Sequence, residues 1–250
     1  RDQSKIDEIV DHMNTVSQVT VLDVDPGFDT NRTVVTLVGS PGAIAEAAFI
    51  GIKCASELLD MSQHSGTHPR MGATDVCPFI SVSNVSDDEC IELSKQVGKR
   101  VGDELDIPVY LYEKSAQSTE RVKLPDIRKG EYEGLAEKLA DPDWKPDFGP
   151  AELHVKGGAT VMGCRDFLIA YNINLNTRDH RLATDIAFEL REAGRSKRIP
   201  NPKSKNLLDG EIVRHKDGKP IKVAGLFKDI KAIGWYVDSF NRAQISINFN

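Results

Sequence analysis

The sequence predicts an α/β (α+β) fold, an open sandwich of helices on mixed or antiparallel sheets. Three observations point there. Hydrophobic periodicity switches between the 3.6-residue and the two-residue repeat, in the order α-β-β-α-β-α-β, over residues 4–113. Strand pairs are split by helices, which fits neither the strict alternation of a doubly wound sheet nor an all-β pattern. A chain of 250 residues, 40% hydrophobic and 28% charged, is long and apolar enough to bury a core. The arrangement is of the split-βαβ, ferredoxin-like kind.

The elements follow in order. Ile6, Ile9, Val10 and Met13 keep helical spacing, so 4–17 is a helix with Ser4 as its cap. VTVLDV at 19–24 is rich in β-branched residues and reads as a strand, and TVVTLVG at 33–39 as a second. The turn cluster PGFDTN between them makes the two antiparallel neighbours. Residues 41–61 form a helix opened by Pro41, a favoured first-turn residue. VCPFISV at 76–82 is a strand, 86–105 a helix with a Ser86–Glu89 capping box, and IPVYLYE at 107–113 a strand. Residues 114–157 are irregular apart from a short helix near 131–139. A second module opens with a strand at 167–175 and a helix at 178–193, ended by Gly194. Residues 195–231 carry 11 Lys/Arg against 4 Asp/Glu, with an Asp217-Gly218 hairpin turn inside them. Two strands, 233–237 and 243–249, follow.

Composition excludes several classes. A net charge of -6 and a pI of 5.6 argue against a basic nucleic-acid binder, and 6% aromatics against a base-stacking platform. No run of 18 uncharged apolar residues exists, so no transmembrane span is expected. The N-terminus is polar and helical in pattern, unlike a signal peptide, and its lack of an initiator Met suggests a trimmed chain. Cys54, Cys77, Cys90 and Cys164 have no Cys-x-x-Cys spacing. They read as reduced, mostly buried thiols of a cytoplasmic protein.

No P-loop, G-x-G-x-x-G after a strand, or G-x-S-x-G elbow is present. His12, His180 and His215 read as surface or packing residues. The loop at 62–75 differs. Pro69 drives His68 out of the helical region and stiffens the chain, while Gly66 and Gly72 permit close approach. A held imidazole beside Arg70 suits a proton-transfer residue next to an anion binder. The alternative is a histidine that only hydrogen-bonds within an ordered loop. His64 and His68 do not make a metal pair, because Gly66 and Pro69 break the helix and two ligands are too few. Asp23, Asp25, Asp29, Asn31 and Arg32 cluster at a strand end; Asp25 either orients an imidazole or caps its own turn. In 146–167, Gly149, Gly157, Gly158 and Gly163 either let a ligand lie against the backbone or form a glycine-rich connector.

HPRMGATDVCPF at 68–79 resembles the glutamate formiminotransferase family, including the formiminotransferase part of formiminotransferase–cyclodeaminases. Further blocks agree in order: LDVD-G---TNRTV at 22–34, IPVYLYE at 107–113, IRKGEYEGL at 127–135, PDFGP at 146–150, GATV-G-R-FLIAYNINL at 158–175 and IGWY at 233–236. The resemblance implies two α/β subdomains. One is 1–165, without its opening strand; the other is 166–250, cut short and carrying the basic insertion 195–231. It implies a homodimer that moves a formimino group from N-formimino-L-glutamate to N5 of tetrahydrofolate, the co-substrate, in histidine degradation. It further implies that His68 is the acid–base residue and that Asp25 orients it. The segment from Gly149 to Gly158, with Pro150, Glu152, Lys156 and Gly157, would line the folate site. Arg70 and Arg32 are added as candidates for substrate carboxylates, which arginine holds by two parallel hydrogen bonds.

The residue types suit that chemistry. The attacking nitrogen loses a proton and the glutamate nitrogen gains one, and one imidazole can do both in turn. The amidinium carries its own positive charge, so no metal is required. Two other readings use the same residues: a folate-dependent formyltransferase acting on N-formylglutamate, and a folate-binding or scaffolding module without turnover. The basic stretch 195–231 is either a solvated surface hairpin or an attractor for the polyglutamate tails of cellular folates.

Overall fold

A computed structural model describes residues 1–249. The chain divides into two compact units, Arg1–Arg165 and Asp166–Asn250. The first begins with α1 (Gln3–Asn14), whose cap is Asp2, not Ser4. The Asp2 carboxylate accepts from the Lys5 backbone N–H at 3.4 Å, and Ser4 gives its hydroxyl to the same carboxylate at 2.7 Å. A charged acceptor at that position outcompetes the serine. β1 (Val19–Gly27) and β2 (Arg32–Gly39) pair antiparallel, from Val19 opposite Gly39 to Gly27 opposite Arg32. They form a sheet of their own, so the strands of this unit lie in two sheets instead of one. α2 (Pro41–Leu58) follows, with Pro41 in its first turn as expected.

The second sheet of this unit is parallel, in the order β3-β5-β4: β3 (Val76–Phe79), β5 (Thr160–Cys164) and β4 (Val109–Leu111). α3 (Asp87–Leu105) crosses between β3 and β4, and the Ser86–Glu89 capping box forms in full. One sheet face, with Val109, Leu111, Met162 and Cys164, packs on Phe49 and Ile52 of α2 and Val97 and Val101 of α3. The opposite face, with Tyr110 and Val161, packs on Met71, Ile127, Leu135 and Leu139. The irregular stretch after β4 is therefore the second cover of the sheet. It contains two short helices, α4 (Leu124–Ile127) and α5 (Leu135–Ala140), where one was expected.

β5 is the central strand, and it lies in the stretch read from sequence as a ligand segment or connector. All five of its residues are buried. A strand covered on both faces shows no alternation, and Gly163 breaks the apolar run.

The second unit is an antiparallel sheet in the order β11-β12-β6: β11 (Ile230–Val237), β12 (Arg242–Phe249) and β6 (Ile169–Asn174). Ala183 and Ala187 of α6 (His180–Leu190) pack on Ala232, Ala243, Ile245 and Ile247. Between them run four two-residue strands: β7 (Arg195–Ser196), β8 (Arg198–Ile199), β9 (Glu211–Ile212) and β10 (Lys222–Val223). β7 pairs with β10 and β8 with β9. The Asp217-Gly218 turn forms as expected, with Gly218 N–H donating to His215 O at 3.0 Å and the Gly218 φ at +83°. The α+β class holds, with antiparallel sheets beside one that is parallel throughout; among the described residues no single sheet mixes the two. Among the described residues no helix is long and apolar enough to cross a membrane.

Candidate active site

Four segments of the first unit converge on the His68 loop. The tip of the β1–β2 hairpin meets it first. His64 Nε2 donates to Asn31 O at 3.0 Å, Asn31 Nδ2 donates to Ser65 O at 2.7 Å, and Thr67 Oγ1 to Asp29 O at 3.3 Å. The segment before β5 meets it second. Met61 N–H donates to Lys156 O at 3.0 Å, Ala73 N–H to Gly157 O at 2.8 Å, and Ala159 N–H to Met71 O at 3.1 Å. Gly72 and Gly158 bridge across this seam. A Cβ on Gly158 (φ +67°) would stand 2.1 Å from Met71 O, and one on Gly72 2.3 Å from Ala159 O, so glycine is required at both. The segment after α4 is third, with Tyr132 N–H donating to Arg70 O at 2.9 Å. Asp75, just before β3, is fourth: its Oδ1 accepts from Met71 N–H at 2.9 Å, and its carboxylate pairs with Arg128.

Donor and acceptor logic fixes the state of His68. Its Nδ1 lies 2.7 Å from Pro69 O, an atom that only accepts, so Nδ1 carries the hydrogen. Its Nε2 lies 3.0 Å from Arg32 Nη1, a group that only donates, so Nε2 presents its lone pair. The ring is neutral, with Nε2 as the basic atom. Burial, then the charges of Arg32 and Arg128, push its pKa down to about 4.

Arg70 turns away from His68. Its guanidinium bonds Glu131 at 3.0 Å, Glu133 at 2.6 Å and His64 O at 3.1 Å. The hydrogen bond from Arg70 pulls the Glu133 carboxyl down to about 2. These groups, with Ser65, Gly66 and Gly130, line an open cavity of about 470 Å³.

The expected residues therefore separate. His68 and Arg32 touch. Arg70 shares the loop, but its charge is already met by two carboxylates. Asp25 makes no hydrogen bond to His68 among the described residues; the Pro69 carbonyl holds the ring instead. The charge of Asp25 acts on Arg32, whose pKa is lowered by burial and Arg128 and raised by Asp75 and Asp25. Gly157 and Gly158 lie on the seam, while Glu152 and Lys156 are exposed. Gly149 (φ +79°) sits by the Phe148–Val109 bridge, followed by half-buried Pro150. Sequence reasoning missed Asp75, Arg128, Glu131 and Glu133. All four lie in stretches that carried the family resemblance, HPRMGATDVCPF and IRKGEYEGL, which is the signal that marks them.

His68 is thus a neutral imidazole bonded to the Arg32 guanidinium and under the charge of Arg128. Comparison with known proteins gives the family. The N-terminal subdomain of the formiminotransferase domain matches residues 1–165, and the formiminotransferase domain matches residues 170–250. The chain is 46% identical over 251 residues to a formimidoyltransferase-cyclodeaminase of Dictyostelium discoideum, covering 100% of this chain and 42% of that protein. It is 45% identical over 246 residues to the formimidoyltransferase-cyclodeaminase of Rattus norvegicus, covering 98% of this chain and 41% of that protein. It is 40% identical over 248 residues to the glutamate formimidoyltransferase of Streptococcus pyogenes serotype M1, covering 99% of this chain and 73% of that protein. The chain belongs to the formiminotransferase family. It spans about two fifths of the length of the cyclodeaminase relatives.

Proposed function

We propose that this chain carries the formiminotransferase activity of its family. It would transfer the formimino group of N-formimino-L-glutamate to N5 of tetrahydrofolate, giving 5-formiminotetrahydrofolate and L-glutamate, in histidine degradation. The observation that carries the reading is the neutral His68, whose Nε2 lone pair is aimed at Arg32. In this reading Nε2 takes the proton from the attacking nitrogen and returns it to the departing glutamate nitrogen. Holding both substrates in place supplies much of the remaining barrier reduction.

Arg32 and Arg128 supply charge for the carboxylates of the donor. Arg128 Nε, a buried donor without a hydrogen-bond partner, favours an anion there. Asp25 works through Arg32, and Arg70 stiffens the loop. The stretch from Gly149 to Gly158 takes the folate, a role supported by its seam with the His68 loop. The reading includes a homodimer in the cytoplasm, where four free cysteines fit a reducing compartment. Polyglutamylated folate is the acceptor in this scheme.

The test is a steady-state assay with formiminoglutamate and tetrahydrofolate, run beside N-formylglutamate. Turnover with the first, and a loss of several orders of magnitude in His68→Ala with folate binding retained, is expected. Near-normal turnover in that variant would refute the mechanism.

A further inference from the structure

The contact that identifies the base also blocks it. Arg32 Nη1 fills the lone-pair direction of His68 Nε2 at 3.0 Å. In this arrangement the ring has no free acceptor, because Nδ1–H is spent on Pro69 O. A proton arriving at Nε2 would set an N–H against an N–H, and a cation against a cation. His68 can act only after Arg32 leaves.

We propose that Arg32 is a substrate-operated gate on His68. A carboxylate of the donor draws the guanidinium off Nε2, and this frees the base only when the donor is bound. The inference rests on the transferase reading above and adds its control. It casts Arg32 as a positioning residue as well as an anion binder.

The surroundings favour this division of labour. The charged groups acting on His68 are Arg32 at the start of β2, Arg128 after α4 and Asp75 before β3. Arg128 is engaged by Asp75, and Arg70 by Glu131 and Glu133. Arg32 has no ion pair among the described residues; the only side chain it bonds is His68, a neutral acceptor. A carboxylate is a far better partner than an imidazole for a guanidinium, since the bond is charge-assisted and bidentate. The carboxylate of Asp25, on β1 of the same hairpin, also acts on Arg32 through its charge. Once Arg32 is paired, its charge, which after burial does most to suppress protonation at Nε2, is neutralised. The base then strengthens, and the proton transferred to it from the attacking nitrogen can be held until the glutamate nitrogen collects it. An amidine lacking the carboxylate would meet a capped histidine.

The experiment follows the imidazole itself. His68 is titrated by nuclear magnetic resonance of the full chain with nitrogen-15-labelled histidine, assigned with His68→Gln. L-Glutamate, the dicarboxylate product, is the probe, and calorimetry follows its binding. In the unaltered chain, saturating glutamate should raise the His68 midpoint by about 1 pH unit, since burial and Arg128 still act on the ring. Arg32→Met should show the raised midpoint without glutamate, with no further rise on adding it. Arg32→Lys should restore part of the response. Glutamate bound with an unmoved midpoint would overturn the gate, as would an Arg32→Met midpoint equal to that of the unaltered chain. Absence of glutamate binding would also overturn it. Turnover with formiminoglutamate, measured separately, reports on the transferase reading alone. Turnover with an unmoved midpoint sinks the gate and spares that reading. A glutamate-driven midpoint without turnover supports the gate and sinks the reading.

Discussion

Two stretches differ in how their histidines, arginines and lysines are held. In the loop 62–75, each ring and guanidinium is tied to another element: His64 to Asn31, His68 to Arg32, and Arg70 to Glu131 and Glu133. The stretch 195–231 has far more cations, and most are solvated. Arg195 is buried on Asp185 and Glu189 of α6, and Arg198 is spent on the carbonyls of Leu208 and Gly210. Lys203, Lys205 and Lys216 are exposed. A small anion is gripped by a few cations at fixed positions. Solvated cations create a field that salt screens within roughly 10 Å. Chemistry is expected from the first stretch and, at most, attraction from the second.

The sharpest contrast comes from replacing one residue in each. His68→Ala should lower turnover by about 10²–10⁴-fold, the range for a positioned acid–base group. Its thermal midpoint should stay near that of the unaltered chain, because the half-buried ring makes one backbone contact and one contact to Arg32. Lys216→Ala should leave turnover unchanged. Equal losses in the two variants would erase the distinction.

The seam beneath the loop comes next. Gly158→Ala puts a methyl group 2.1 Å from Met71 O at a backbone angle that disfavours it. A stability loss of about 1–3 kcal/mol is expected from such strain, read by urea unfolding, with a fall in turnover as the His68 loop shifts. Gly218→Ala (φ +83°) in the basic stretch has open space around it. It should carry only the backbone penalty and leave turnover intact.

Much of this was legible beforehand. The β1–β2 hairpin, the α3 capping box, the Asp217-Gly218 turn and the singular character of the His68 loop follow from local rules that act over a few residues. β5 was not legible, because burial on both faces removes the alternation that marks a strand. The partners of Arg70 and His68 were not legible either. Glu131 and Glu133 lie over sixty residues from Arg70, and the Pro69 carbonyl took the hydrogen bond reserved for Asp25. Which acceptor wins at a ring nitrogen depends on angles and reach set by tertiary packing.

Acidity separates the regions more gently. Folded His68 titrates near 4, below its ordinary 6.5. Between those values the unfolded chain binds more protons there, so stability is lost as the pH falls from 6.5 towards 4. Arg32→Met raises the folded value towards the ordinary one and should shrink that loss. Thermal midpoints at pH 7 and pH 5 measure it, and a larger drop in the variant than in the unaltered chain would contradict the sign. Glu133 acts in a lower window, between 4.5 and about 2, and leaves this comparison untouched.

The smallest effect belongs to the basic stretch. Lys203, Lys205 and Lys216 are solvated, so changing them to glutamate should move stability by no more than about 0.5 kcal/mol. If these cations attract polyglutamate tails, the triple variant should weaken pentaglutamyl folate more than monoglutamyl folate. The difference should close as salt rises and the screening length falls from about 10 Å at 0.1 M to about 3 Å at 1 M. Equal weakening of both folates, or a gap that survives high salt, would mean that the tail is not drawn by this field. The stretch would then be a solvated surface, and its charge would have no part in catalysis.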